Sequence, residues 1–215
     1  MNIMLSNVKV RLKSLIRKCL PMLQMDTVTR VSLDAQLIPV FNDLNTGVVL
    51  DVGSKHSPYR SHIKCEKYTR FDIDESSNPD ICGDLHDTKI PDNSYDCVIA
   101  TEVLEHLYDP QKAMEEIRRI LKPGGCCILS TRFLYVYHPG PHDYYRFTWD
   151  SLAHICRDFT KVDIRHHGNL IIFLWQLLND QLITAIACNL LNPILGRVHF
   201  KKTRYPSGFV LIAHK

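Results

Sequence analysis

From Gly47 onward, short runs rich in β-branched residues alternate with helical segments and with turns marked by glycine, proline and asparagine. Strands are predicted at Gly47–Val52, Tyr68–Asp72, Ile81–Cys82, Tyr95–Thr101, Cys126–Ser130, Val162–His166 and Phe209–His214. Pro110–Leu121 places Ala113, Met114, Ile117, Ile120 and Leu121 on one helical face, and Lys122-Pro123-Gly124-Gly125 stops it. Thr148 or Asp150 is expected to cap a further helix. Alternation with connections this short predicts an α/β fold, a doubly wound, mostly parallel, seven-stranded sheet. A chain of 215 residues suits one such domain.

The two ends of the pattern differ from its middle. Residues 1–30 carry Lys9, Arg11, Lys13, Arg17, Lys18 and Arg30 against Asp26 alone, and Val8, Leu12, Leu15, Ile16, Cys19 and Leu20 recur at helical spacing. This reads as a basic amphipathic extension ended by Pro21, with the domain proper at 31–215. It is not expected to be a secretory leader, because lysine and arginine interrupt its apolar positions throughout. Before the last strand lies an apolar insertion, 169–195, broken by Gln176, Asn179, Asp180, Gln181, Asn189 and Asn192. It suits two helices, Leu170–Leu178 and Leu182–Leu191, better than a membrane span. Those helices can pack on the sheet or lie against a membrane surface, where the basic extension would meet anionic lipid. The eight cysteines follow no C-x-x-C spacing, and several sit in apolar runs, as expected of reduced core thiols in a cytoplasmic protein. No basic face points to nucleic acid.

Chemistry concentrates at the predicted strand ends. Val48-Val49-Leu50-Asp51-Val52-Gly53 places a carboxylate and a flexible turn at the carboxyl edge of a parallel sheet, where such folds bind ligands. Gly53 lets the main chain approach a ligand, and Asp51 can orient the turn or attract an ammonium group. Asp72 ends the next strand about 20 residues on, the position from which doubly wound nucleotide binders hold ribose hydroxyls. No Gly-x-Gly-x-x-Gly follows the first strand, which argues against a nicotinamide oxidoreductase.

Four further segments, Ile81-Cys82-Gly83-Asp84-Leu85-His86-Asp87, Pro91-Asp92-Asn93-Ser94-Tyr95-Asp96, Thr101-Glu102-Val103-Leu104-Glu105-His106-Leu107 and Leu121-Lys122-Pro123-Gly124-Gly125, follow in order. In that series the chain resembles the type 11 group of class I S-adenosylmethionine-dependent methyltransferases, from about Gly47 to Asp158. The resemblance implies S-adenosylmethionine as cofactor, with Asp84 on the adenine amino group and the Leu85 amide on the ring. The expected cofactor-binding set is Asp51, Gly53, Ser54, Asp72, Asp84, Leu85, Thr101, Glu102 and His106. One position departs from the family pattern. Where a second loop glycine is usual stands Lys55, which crowds the cofactor's methionine portion or pairs with its carboxylate.

Glu102, Glu105 and His106 fall at i, i+3 and i+4, so a helix would gather them on one face, as for Mg²⁺ or Mn²⁺. The plainer reading is adopted: Glu102 faces the cofactor, Glu105 pairs locally, His106 lies near the pocket floor, and no metal is expected. The loop from Arg132 to Phe147 should overhang the methyl donor. Within it His142-Asp143 is the expected base and orienter, and Tyr144, Tyr145 and Arg146 can grip a sugar or anion. Similar Pro-His-Asp-Tyr-x-Arg segments occur in methyltransferases associated with surface-glycan synthesis. Methyl transfer to a small-molecule, glycan or lipid-linked acceptor, at oxygen, is the resulting expectation. A methyltransferase-like scaffold that has lost turnover is the alternative, with Lys55 as its support.

Overall fold

The computed structural model describes residues 27–179 and 191–215. The expected helix over 8–20, most of the expected helix Leu182–Leu191, and Cys19 and Cys188 lie outside the described residues. Helix α1, Val28–Asp43, leads into β1, Asn45–Val52, followed by β2, Lys64–Asp72, β3, Ile81–Cys82, and β4, Tyr95–Thr101. Then come α2, Pro110–Ile120, β5, Leu121–Arg132, α3, Trp149–Ile155, β6, Lys161–His167, α4, Leu170–Asn179, and β7, Gly208–His214. Residues 191–195 are again helical.

The seven strands form one sheet in the order β3-β2-β1-β4-β5-β7-β6. All neighbours are parallel except β7, which runs antiparallel to both β5 and β6. The expected α/β class, strand number and mostly parallel sheet are therefore present. Strand order reverses between β1 and β4, so their carboxyl ends diverge into a crevice open to a ligand.

Side-chain alternation along the strands builds two cores. Val49, Ile99, Ile128 and Val210 face α1 and pack with Leu33, Leu37 and Phe41. Leu50, Val98, Leu129 and Leu211 face the other way, onto Met114 and Ile117 of α2 and Leu152 of α3. A one-residue slip of any central strand would exchange these faces, which fixes the register. Asp109 caps α2 by accepting from the Lys112 amide, with Pro110 opening the helix. Thr148 and Ser151 form a reciprocal capping box on α3, which selects Thr148 over Asp150 as the cap.

Three sequence expectations shift. Helix α1 begins at Val28, ahead of the expected boundary at 31, because Val28 is part of the buried core and Thr27 caps the helix. Strand β5 starts at Leu121, directly after α2, and pairs there with Tyr95 before a register shift brings Cys97 opposite Cys126. The Lys122–Gly125 segment is thus an irregular strand start as well as a helix stop. Finally, Glu102, Glu105 and His106 do not share an α-helical face. Glu102 has left-handed backbone (φ 57°), and a single 3₁₀ turn, Leu104–His106, follows it.

Candidate active site

The carboxyl ends of β1, β2, β3 and β4 enclose a cavity of about 520 Å³, a volume typical of small-molecule sites. Gly53, Asp72, Asp84, Leu85, Glu102, His106 and His142 all line it. Asp51, Ser54, Thr101 and Asp143 do not; they lie behind the wall or at its margins.

On the β1 side the wall is main chain. The Gly53 amide donates to the Phe71 carbonyl (2.9 Å) with φ 65°, and a Cβ there would come within 2.6 Å of Val103 Cγ2. Only glycine fits both demands. Lys55 keeps the left-handed conformation that glycine adopts at least cost (φ 39°), with its side chain exposed. Its amide donates to Asp72 Oδ2 (3.1 Å), and the Asp74 amide donates to Asp72 Oδ1 (3.0 Å). Each Asp72 oxygen therefore keeps lone-pair capacity toward the cavity while the buried side chain is held from behind. Asp51 supports this wall from inside, accepting from the Tyr68 hydroxyl (2.6 Å); burial pushes its carboxyl up to about 6.

The β3 side presents one free acceptor and one free donor. Asp84 Oδ1 accepts from both the His86 amide (2.9 Å) and His86 Nδ1 (2.5 Å), leaving Oδ2 open. Burial opposes ionisation of Asp84, but the two His86 bonds outweigh it and hold the carboxyl below its usual range. His86 Nε2 accepts from the Asp109 amide (3.4 Å), so its proton is on Nδ1, and its ring stacks on Tyr108 (3.9 Å between centroids). Among the described residues the Leu85 amide meets no hydrogen-bond acceptor. Sequence reasoning missed His86 and Tyr108. The short His86–Asp84 spacing was the available signal.

On the β4–β5 side the wall is made of buried charge. Glu102 Oε1 accepts from Ser130 Oγ (2.9 Å), and Glu102 forms a buried ion pair with Arg132 Nε. Glu105 is fully buried, accepts from Thr131 Oγ1 (2.8 Å) through Oε2, and leaves Oε1 without a hydrogen bond. Burial, reinforced by the Glu102 charge, pushes its carboxyl above the ordinary range.

Residues 133–147 fold across this wall, and here one expectation is corrected. Asp143 does not orient His142. Both carboxylate oxygens are taken by the Arg146 guanidinium (2.5 and 2.7 Å), and one also accepts from the His138 amide (3.0 Å). These bonds hold Asp143 far below the ordinary carboxylate range, the Arg146 bond being the strongest cause. The imidazole beside Asp143 is His138, with Nδ1 at 3.3 Å. Arg146, pinned by Asp143 and the Val136 carbonyl, is not free to grip an anion. His142 is exposed and contributes its carbonyl, which accepts from His106 Nδ1 (2.5 Å).

In sequence over part of its length, and in fold, the chain is similar to known methyltransferases. Residues 50–129 match the family described as a methyltransferase domain. A probable S-adenosylmethionine-dependent methyltransferase of Mycolicibacterium smegmatis is 34% identical over 80 residues, covering 37% of this chain and 28% of that protein. The chain thus spans less than a third of that curated relative's length. Among solved structures, a SAM-dependent methyltransferase from Archaeoglobus fulgidus superposes with TM-score 0.56 at 16% identity, over 86% of this chain and 92% of that one. The cyclase SpnF superposes with TM-score 0.58 at 18% identity, over 86% and 81%. These likenesses establish the fold, which serves a cyclase as well as methyltransferases.

Proposed function

We propose that this chain, which carries a class I S-adenosylmethionine-dependent methyltransferase domain, binds S-adenosylmethionine along the β1–β3 edge and transfers its methyl group to an acceptor. The observation that carries the reading is the row of unsatisfied groups on consecutive strand ends. The glycine cradle at Gly53, the lone pairs of Asp72, the open Oδ2 of Asp84 and the unpaired Leu85 amide all face one cavity or its rim. Gly53 and Lys55 would receive the amino-acid portion, Asp72 the ribose hydroxyls, and Asp84 with Leu85 the adenine. When bound, the sulfonium supplies an activated methyl carbon; the protein's own part is alignment of donor and acceptor and exclusion of water. Asp51, Ser54 and Thr101 act as supports rather than contacts. Glu102, held by Arg132 and Ser130, shapes the floor where the two portions of the pocket meet.

The acceptor is read as a small molecule, glycan or lipid-linked compound, methylated at oxygen, and the lipid-linked form has specific support. Leu170, Ile171, Leu174 and Leu177 form an exposed stripe on α4. Beyond it stand exposed Arg197, Lys201, Lys202 and Arg204, with no acidic residue anywhere in 181–215. An exposed apolar stripe and a later run of positive charge in the same chain suit an anionic membrane surface. Among the described residues no helix is long and apolar enough to cross a membrane.

Incubation with methyl-labelled S-adenosylmethionine and separate aqueous and lipid extracts tests the reading. Label should move into one extract, the lipid fraction for a lipid-linked acceptor. Cofactor binding with no label transferred to either extract would instead support the scaffold reading. Equal sedimentation with and without phosphatidylglycerol vesicles would remove the membrane contact.

A further inference from the structure

We propose that Glu105, His106 and His138 form a binding site for a transition-metal dication of the zinc type. One ligand atom from each of these side chains lies within 4.8 Å of the others. They come from two separate elements, the 3₁₀ turn after β4 and the loop after β5, brought together when Tyr144 and Tyr145 donate to the Glu105 carbonyl (2.8 and 3.3 Å).

Three observations support this beyond proximity. The first is an unpartnered buried oxygen. Glu105 is fully buried, its Oε2 is anchored by Thr131, and its Oε1 has no hydrogen-bond partner among the described residues, an arrangement that costs free energy unless something else meets that oxygen. His138 Nε2 stands 3.9 Å from it, too far for a hydrogen bond and suited to an ion between them. The second is the outer support of the two imidazoles. His106 Nδ1 donates to the His142 carbonyl, while His138 Nδ1 lies 3.3 Å from both Asp143 and the Val136 carbonyl. Metal-ligating histidines are oriented in this way, with one ring nitrogen tied to a carbonyl or carboxylate so that the other is unprotonated and directed inward. Asp143, fixed by Arg146, thereby acquires the role that its expected pairing with His142 lacked. The third is the donor set itself. Two imidazoles and one carboxylate suit Zn²⁺ and its neighbours in the first transition row, whereas Mg²⁺ asks for oxygen ligands.

This donor set differs from the helical Glu102, Glu105, His106 grouping considered from the sequence. Glu102 is engaged by Arg132, and His138 takes its place. His106 and His138 line the cavity, so three protein ligands would leave an open coordination position facing it. The binding site stands without reference to methyl transfer. Its use, polarising an acceptor oxygen so that the oxygen loses its proton more readily, rests on the proposed reaction.

Co²⁺ titration of the chelator-stripped full chain provides the test, with S-adenosylhomocysteine binding measured separately so that loss of one reading leaves the other standing. The expected result is one Co²⁺ per chain with visible d–d absorption, displaced by one Zn²⁺ and untouched by millimolar Mg²⁺. His138→Ala should weaken binding by about 100-fold or more, the scale on which even outer supports of a metal matter. His138→Gln, which retains bulk and polarity, should do the same, and far-UV circular dichroism with thermal unfolding reports whether either variant is folded. Co²⁺ affinity unchanged in a folded His138 variant, no Co²⁺ binding by the unmodified chain, or preference for Mg²⁺ would each overturn the proposal.

Discussion

The two halves of the cavity are built by different means. Along β1–β3 the walls are main chain and the two carboxylates it holds: a glycine turn, amides behind Asp72, and the His86 amide and ring that fix Asp84. Along β4–β5 they are side chains carrying buried charge, with Glu102 against Arg132 and Asp143 against Arg146 and His138. Main-chain walls are set by the fold and tolerate side-chain change around them. Charge-built walls depend on every partner, because removing one leaves its mate buried and uncompensated.

The contrast predicts a graded series of effects. Arg132→Met should be the most damaging to stability, about 3–5 kcal/mol, since Glu102 would remain buried without its ion-pair partner. Adding Glu102→Gln should recover most of that loss in chemical denaturation; failure to recover would mean that Arg132 acts through packing on Tyr135, which it overlies at 4.1 Å. Gly53→Ala is expected to cost less stability but at least about 100-fold in S-adenosylhomocysteine affinity, or about 2.7 kcal/mol. Its Cβ would strike Val103 and its backbone would be strained at φ 65°.

Asp51→Asn should act through pH. The Asp51 carboxyl titrates near 6 in the fold against 3.8 unperturbed, so the folded chain holds a proton that the unfolded chain releases first. Its contribution is fully present below pH 3.8, and is lost as pH rises toward and through 6. Replacement by Asn should flatten that decline and make the variant more stable than the parent at pH 7, by about 2–3 kcal/mol. Parallel pH–stability curves for parent and variant would contradict the assignment. The smallest effect is expected of Lys55→Gly, a gain of up to about 1 kcal/mol from relief of left-handed backbone. Loss of cofactor affinity in that variant would show that the lysine side chain, and not only its amide, serves the site.

What could be read from the sequence follows the same division. The ends of β1, β2, β3 and β4 were legible because apolar runs, turn residues and the Asp-x-Gly step encode backbone directly. Gly53, Asp72, Asp84 and Leu85 accordingly reach one cavity. Helix α1 was missed because Pro39 interrupts it and buried Thr29 and Ser32 break its apolar spacing. The partner of Asp143 was not legible, because adjacency in sequence favoured His142 while loop closure delivered His138 and Arg146. Glu105 offered only its place in a motif; its burial depends on Thr131 and on the loop that covers it.

The most direct test of the division is calorimetric titration of S-adenosylhomocysteine into the parent chain, Asp84→Asn and His138→Ala. One site per chain is expected, weakened by about tenfold or more in Asp84→Asn through loss of a charge-assisted acceptor, and little changed in His138→Ala. No heat at millimolar ligand, or an affinity that follows His138 and ignores Asp84, would contradict it.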